Sequence, residues 1–152
     1  MVRIRRAKKQ AKKPAPNTHT QEVKKTKIRV IGIGGGGGTI VSELASRVKR
    51  ASFVAANTDK QALKTLNRNV LSFQFGESLT HGLGTGMNQE LARTAALSEK
   101  ERIKKLFEGY DFCILVSALG GGAGSGASPI FAKEAKNAGV LTLGVFTLPF
   151  NF

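Results

Sequence analysis

Short apolar runs alternate with stretches of helical period along most of this chain. Residues 27–33, Lys-Ile-Arg-Val-Ile-Gly-Ile, predict a first strand; 39–50 follow as a helix with Ile40, Leu44 and Val48 on one face. Residues 53–57 predict a second strand. Asp59 then stands at the cap position of a short helix carrying Ala62, Leu63 and Leu66. Residues 70–75 predict a third strand, toward a sheet edge. A loop over 76–88 holds Gly76, Gly82, Gly84 and Gly86. Asn88 caps a long helix to about Phe107, whose buried set is Leu91, Ala95, Ile103, Leu106 and Phe107. The continuous apolar character of 112–117 predicts a central strand. A helix over 129–137, ended by Gly139, and a last strand over 141–148 complete the pattern.

Strands alternating with helices predict an α/β fold, a doubly wound and mostly parallel sheet with helices on both faces. Residues 1–26 have no hydrophobic period and contain Pro14 and Pro16, so they read as a disordered tail.

Two glycine clusters sit where strands give way to helices. The first is Gly32-Ile33-Gly34-Gly35-Gly36-Gly37-Gly38-Thr39, and the second is Gly120-Gly121-Gly122-Ala123-Gly124-Ser125-Gly126. A strand–glycine loop–helix unit aims backbone N–H groups and the positive end of a helix at one spot, which suits a phosphate. In a doubly wound sheet both loops fall at the carboxyl ends of strands, where ligands bind. Two such units predict a nucleotide whose phosphates are held from two sides.

Composition sharpens this picture in two places. The 152 residues allow one domain with a real core, and the formal charge is +14. Residues 1–27 hold ten Lys/Arg and one acid, so most of the excess lies in the tail. Such a tail suits nucleic acid, an acidic partner or an anionic surface such as a membrane. Cys113 is the single cysteine, which excludes an intrachain disulfide or a cysteine zinc site and accords with a reducing cytoplasm. No apolar stretch is long enough to span a membrane, and the N-terminus lacks the apolar region of a secretory signal.

Three phosphate chemistries compete for the loops. A P-loop needs Lys and Ser/Thr after its closing glycine, and Gly38 is followed by Thr39-Ile40, which excludes it. A dinucleotide (NAD-type) fold is satisfied by Gly32, Gly34 and Gly37, with Asp59 placed to bond a ribose hydroxyl. That reading leaves the second cluster unexplained. The third is a mononucleotide site of tubulin type.

Five segments carry a resemblance to that third class. They are 30–38, Asn57-Thr58-Asp59-Lys60-Gln61-Ala62-Leu63, Leu79-Thr80-His81-Gly82-Leu83-Gly84-Thr85-Gly86, the second cluster running on into Ala127-Ser128-Pro129, and 141–150 ending in Thr147-Leu148-Pro149-Phe150. In this order they resemble the N-terminal half of the tubulin/FtsZ family of cell-division GTPases, over about 27–152. The resemblance implies a Rossmann-like GTP-binding subdomain, incomplete at its C-terminus. It implies that Gly35, Gly36, Gly37, Gly38 and Thr39 surround the phosphates, with Gly124, Ser125 and Gly126 on the other side. It places Thr85 and Gly86 toward the γ-phosphate, with Asp59 near it or its Mg²⁺. GTP or GDP would be the ligand, with Mg²⁺ held through phosphate and water.

The resemblance further implies GTP hydrolysis coupled to filament assembly, either with itself or with a full-length homologue, in the cytoplasm. Thr39, His81, Gln89 and Ala123 depart from the usual Asn, Arg, Pro and Thr of the family. The family's further nucleotide-binding Glu and Arg, its central helix and its catalytic acidic loop follow the last matched segment, so no catalytic residue is expected within these 152 positions. A non-catalytic fragment is the alternative within this reading, and it predicts a sheet face left partly bare.

Overall fold

The computed structural model describes residues 25–149, with one sheet of five parallel strands in the order β3-β2-β1-β4-β5. The strands are β1 (Ile28–Ile33), β2 (Ala51–Asn57), β3 (Val70–Gln74), β4 (Phe112–Ala118) and β5 (Leu141–Thr147). The helices are α1 (Gly34–Arg47), α2 (Lys60–Lys64), α3 (Glu77–Thr80), α4 (Gln89–Ser98), α5 (Lys100–Lys105) and α6 (Gly122–Asn137). The tail expected over 1–26 lies outside the described residues, save for Lys25 and Thr26.

The doubly wound parallel sheet is as the alternation of strands and helices predicted, and β3 does lie at an edge. Strand alternation sorts side chains into two cores. Ile31, Ile33, Cys113 and Leu115 pack under α4, α5 and α6 with Phe75, Phe107 and Phe131. Val30, Phe53, Ala55 and Val116 pack under α1 and α2 with Val41 and Leu63. Burial of these β-branched and aromatic side chains on both faces is what a parallel sheet requires.

Both glycine clusters differ from the loops expected. α1 begins at Gly34 and α6 at Gly122, so most of the glycines form the first turns of helices. Glycine is a poor helix former, and close packing overrides that preference. A Cβ on Gly37 would stand 2.5 Å from the Val116 carbonyl oxygen, and one on Gly32 would stand 2.2 Å from that of Gly37. α1 also ends at Arg47, three residues earlier than expected, because Val48 turns to an extended conformation.

The long helix expected over 88–107 is two helices meeting at Glu99 (φ −117°, ψ 19°). The break lets the Glu99 carboxylate accept from the Gly76 N–H at 2.6 Å and pair with Arg102. Gly139 ends α6 as expected, at φ +72°, in a Schellman turn: Val140 N–H donates to Ala135 and Gly139 N–H to Lys136.

β5 is an edge with Leu141, Leu143, Val145 and Phe146 all exposed. Val145, Ile114, Ile40 and Leu44 line an apolar groove of about 370 Å³ beside α1.

Candidate functional site

The sheet order reverses between β1 and β4: β2 and β3 lie on one side, β4 and β5 on the other. A crevice opens at the carboxyl ends of strands where such a reversal occurs. Register brings both ends level, with Ile33 opposite Ser117, and the buried Ser117 hydroxyl donates to the Ile33 carbonyl at 3.1 Å. α1 and α6 start from these two strand ends, so their N-termini converge.

The glycines decide how closely they converge. A Cβ on Gly34, at φ +77°, would lie 2.8 Å from the Gly124 nitrogen. A Cβ on Gly36 would lie 2.6 Å from that of Ala118, and one on Gly124 would lie 2.6 Å from the Ser117 hydroxyl oxygen. Any larger side chain at these positions would push the two turns apart.

Neither helix is capped by a side chain. Ile33 and Gly121 occupy the cap positions of α1 and α6, whereas Asp59 and Asn88 cap α2 and α4. The first-turn N–H groups of an α-helix have no partner within it, and its N-terminus carries partial positive charge. Two such termini side by side suit an anion with several oxygens.

The residues singled out from the sequence fall into two groups here. Gly35, Gly36 and Thr39 are exposed at the mouth, and nothing lies within 4 Å of a Cβ on Gly35. Thr39 sits inside α1 rather than at its cap, and its hydroxyl donates to the Gly35 carbonyl at 3.1 Å. Gly37, Gly38, Gly124 and Gly126 are buried. Gly38 faces Ala55 and Leu66, and a Cβ on Gly126 would stand 2.1 Å from the Gln89 carbonyl oxygen. These glycines serve close packing first, and only their backbones can face the crevice. Ser125 likewise lies within α6; its hydroxyl oxygen accepts from the Gly120 N–H at 3.0 Å and so ties the turn back on itself.

Two further segments close on the same crevice. Thr85 is buried, and its hydroxyl would stand 2.1 Å from a Cβ on Gly122, so this loop rests on the first turn of α6. Gly86 follows at φ +53° with open space around it. Asp59 caps α2: its Oδ1 accepts from Gln61 N–H at 2.8 Å and Ala62 N–H at 3.1 Å. Asp59 also bridges to Leu83, and Lys60 N–H donates to Gly82, which fastens the 82–86 loop beside it.

Asn57 is the residue that the sequence reasoning passed over as a site residue. It is buried, its Oδ1 accepts from the Asp59 N–H, and it lines a cavity of about 150 Å³ with Gly34, Gly35 and Thr39. The signal for it was its place as the last residue of a strand bordering the crevice. Among the described residues no group of three or more His, Cys, Asp or Glu could hold a metal ion.

Comparison with known proteins agrees with this geometry. A model of the GTPase domain of the tubulin/FtsZ family matches residues 27–152. Cell division protein FtsZ of Pseudomonas aeruginosa is 49% identical over 127 residues, covering 82% of this chain and 32% of that protein. The structure of an empty FtsZ dimer from M. jannaschii superposes with a TM-score of 0.78 at 38% identity, covering 83% of this chain and 37% of the other. A GTPγS-bound CetZ2 protofilament from Haloferax volcanii superposes with a TM-score of 0.70 at 29% identity, over 80% of this chain and 39% of the other. The chain spans about a third of the length of the FtsZ relatives it matches. With its strand order, its paired glycine turns and these similarities, the chain belongs to the tubulin/FtsZ family.

Proposed function

We propose that this chain binds the phosphates of GTP or GDP between the first turns of α1 and α6. The observation that carries the reading is the approach of Gly34 to Gly124, which joins two helix N-termini that lack side-chain caps. Gly35, Gly36, Gly37, Gly38 and Thr39 form one wall through backbone N–H groups and the Thr39 hydroxyl. Gly124, Ser125 and Gly126 form the other. Thr85 and Gly86 reach the terminal phosphate, and Asp59 stands beside it. Mg²⁺ is held by phosphate oxygens and water.

Filament assembly, alone or with a full-length homologue, is the wider role that the family suggests, in the cytoplasm. The M. jannaschii structure is described as a dimer and the CetZ2 structure as a protofilament. This chain by itself hydrolyses GTP slowly, since phosphoryl transfer also needs groups that position water, and the crevice holds Asp59 engaged as a helix cap.

The strand order here is equally that of a dinucleotide-binding sheet, so NAD is the necessary competitor. The test is equilibrium binding of a fluorescent GTP analogue to the purified chain, with GTP, GDP, ATP and NAD competing. Displacement by GTP and GDP but not NAD is expected. Displacement by NAD alone, or no binding at millimolar nucleotide, overturns the reading.

A further inference from the structure

The end of the sheet remote from the glycine turns carries a second feature that the nucleotide site does not use. Three segments meet there: the entry to β1, the turn between α1 and β2, and the turn between α5 and β4. They line a groove of about 670 Å³ whose charged groups are Lys25, Lys27, Lys49, Arg50 and Glu108. The four cations are exposed. The ion pairs among the described residues join Arg47 to Glu43, Arg93 to Glu90 and Arg102 to Glu99, and none engages these four. Asp111 stands nearby and accepts from the Lys27 backbone N–H at 2.8 Å.

A further cation, Arg29, stands behind two of the lining residues, Ser52 and Tyr110. The Arg29 guanidinium lies 3.9 Å from the centre of the Tyr110 ring and donates to Ser52 Oγ, the Leu106 carbonyl and Tyr110 Oη. All three acceptors are neutral, so its charge is not cancelled by them. A helix C-terminus favours cations, which accounts for Arg47 in the last turn of α1. Lys25 and Lys27 precede β1 and answer to no helix end.

We propose that this groove binds the phosphodiester backbone of a nucleic acid, without sequence preference. Lysine and arginine supply the charge for such contacts. In the sequence the first 27 residues hold ten Lys/Arg and one acid, and Lys25 and Lys27 of that stretch line the groove. The lining offers Ile28 and Ala51 as its aliphatic side chains, and the Tyr110 hydroxyl is already bonded, so little is available to enter lipid. The groove and the glycine turns are separated by the length of β1, about 20 Å, so both can be occupied at once.

Anisotropy of a labelled random-sequence DNA duplex tests this with the full chain and with a Lys49→Glu/Arg50→Glu variant. The intact chain binds at low salt. The variant loses at least tenfold in affinity, and its salt slope flattens by about 2, near 0.9 for each phosphate contact removed. Its melting temperature and its binding of the GTP analogue stay unchanged. If the double variant melts lower, Lys25→Glu gives the same reading with a slope change of about 1. Unchanged affinity and slope in a folded variant overturn the proposal. So does tighter binding to phosphatidylglycerol vesicles than to DNA at equal ionic strength, or displacement of DNA by polyglutamate at equal charge.

Discussion

Gly34 and Gly124 approach so closely that a Cβ on the first would stand 2.8 Å from the backbone nitrogen of the second. The contact joins the chain ends of β1 and β4, which are neighbours in space although some 80 residues apart. Gly124→Ala places a Cβ 2.6 Å from Ser117 Oγ and 2.7 Å from the Ala118 carbonyl oxygen. Real Cβ atoms do not approach this closely, so a neighbour must shift, and such overpacking costs about 1–3 kcal/mol. Urea unfolding of Gly124→Ala should show this loss, while Gly121→Ala, whose Cβ meets nothing within 4 Å, should not.

Gly35 separates folding from binding. A Cβ there enters open space at the mouth of the crevice, and alanine suits a helix better than glycine by about 1 kcal/mol. Gly35→Ala should therefore melt no lower than the unmodified chain. If the phosphates lie where proposed, the added methyl group weakens the GTP analogue at least tenfold. Equal affinity in both proteins would remove Gly35 from the site.

Asp59 has a structural duty that can be isolated. Its carboxylate satisfies two first-turn N–H groups of α2. Asp59→Ala should cost about 1 kcal/mol, and Asp59→Asn, an equally good cap, should recover most of it. An affinity loss shared by both variants, measured by analogue titration, would assign the carboxylate charge a part in nucleotide binding.

Glu99 holds the buried Gly76 N–H at 2.6 Å. Glu99→Ala leaves that donor without its partner, at a cost of about 1–3 kcal/mol. The 76–88 loop packs beside the crevice, so amide exchange in this loop should accelerate more than in β1.

Cys113 is fully buried, and burial pushes its thiol from 9.0 up to about 12, against a smaller opposing pull from the Arg29 charge. The raised value means that the folded state keeps the thiol protonated where the unfolded state ionises. The resulting stability is complete below pH 9 and is lost as pH rises toward 12. The fall in stability over that range should be shallower in Cys113→Ala. Alkylation of Cys113 at pH 8 should require unfolding, because the buried thiol is neither exposed nor ionised.

Most elements and their order were legible because each strand is a short apolar run and most helices are amphipathic; α3, a single turn within the stretch read as a loop over 76–88, was not. Element ends were less legible. The start of α1 at Gly34 contradicts glycine's own preference and follows from the fit of Gly37 under Val116. The break at Glu99 is invisible in a periodic stretch, because its cause is an N–H donated by Gly76, 23 positions away. The candidate site was legible as two glycine clusters and five ordered motifs. Which glycines face open space and which are packing contacts was not, since Gly35 and Gly37 are alike until their neighbours are known.

The sequence by itself determined the alternation of strands and helices, the glycine clusters at strand ends, the family resemblance and the concentration of charge before β1. Those are local properties, set by side-chain polarity and backbone freedom. Only the tertiary structure decided that the clusters meet across the β1–β4 reversal, that Ser125 binds its own loop, and that lysines from separate segments share one groove. Such arrangements depend on pairings between distant residues, and hydrophobic periodicity does not encode which strands become neighbours.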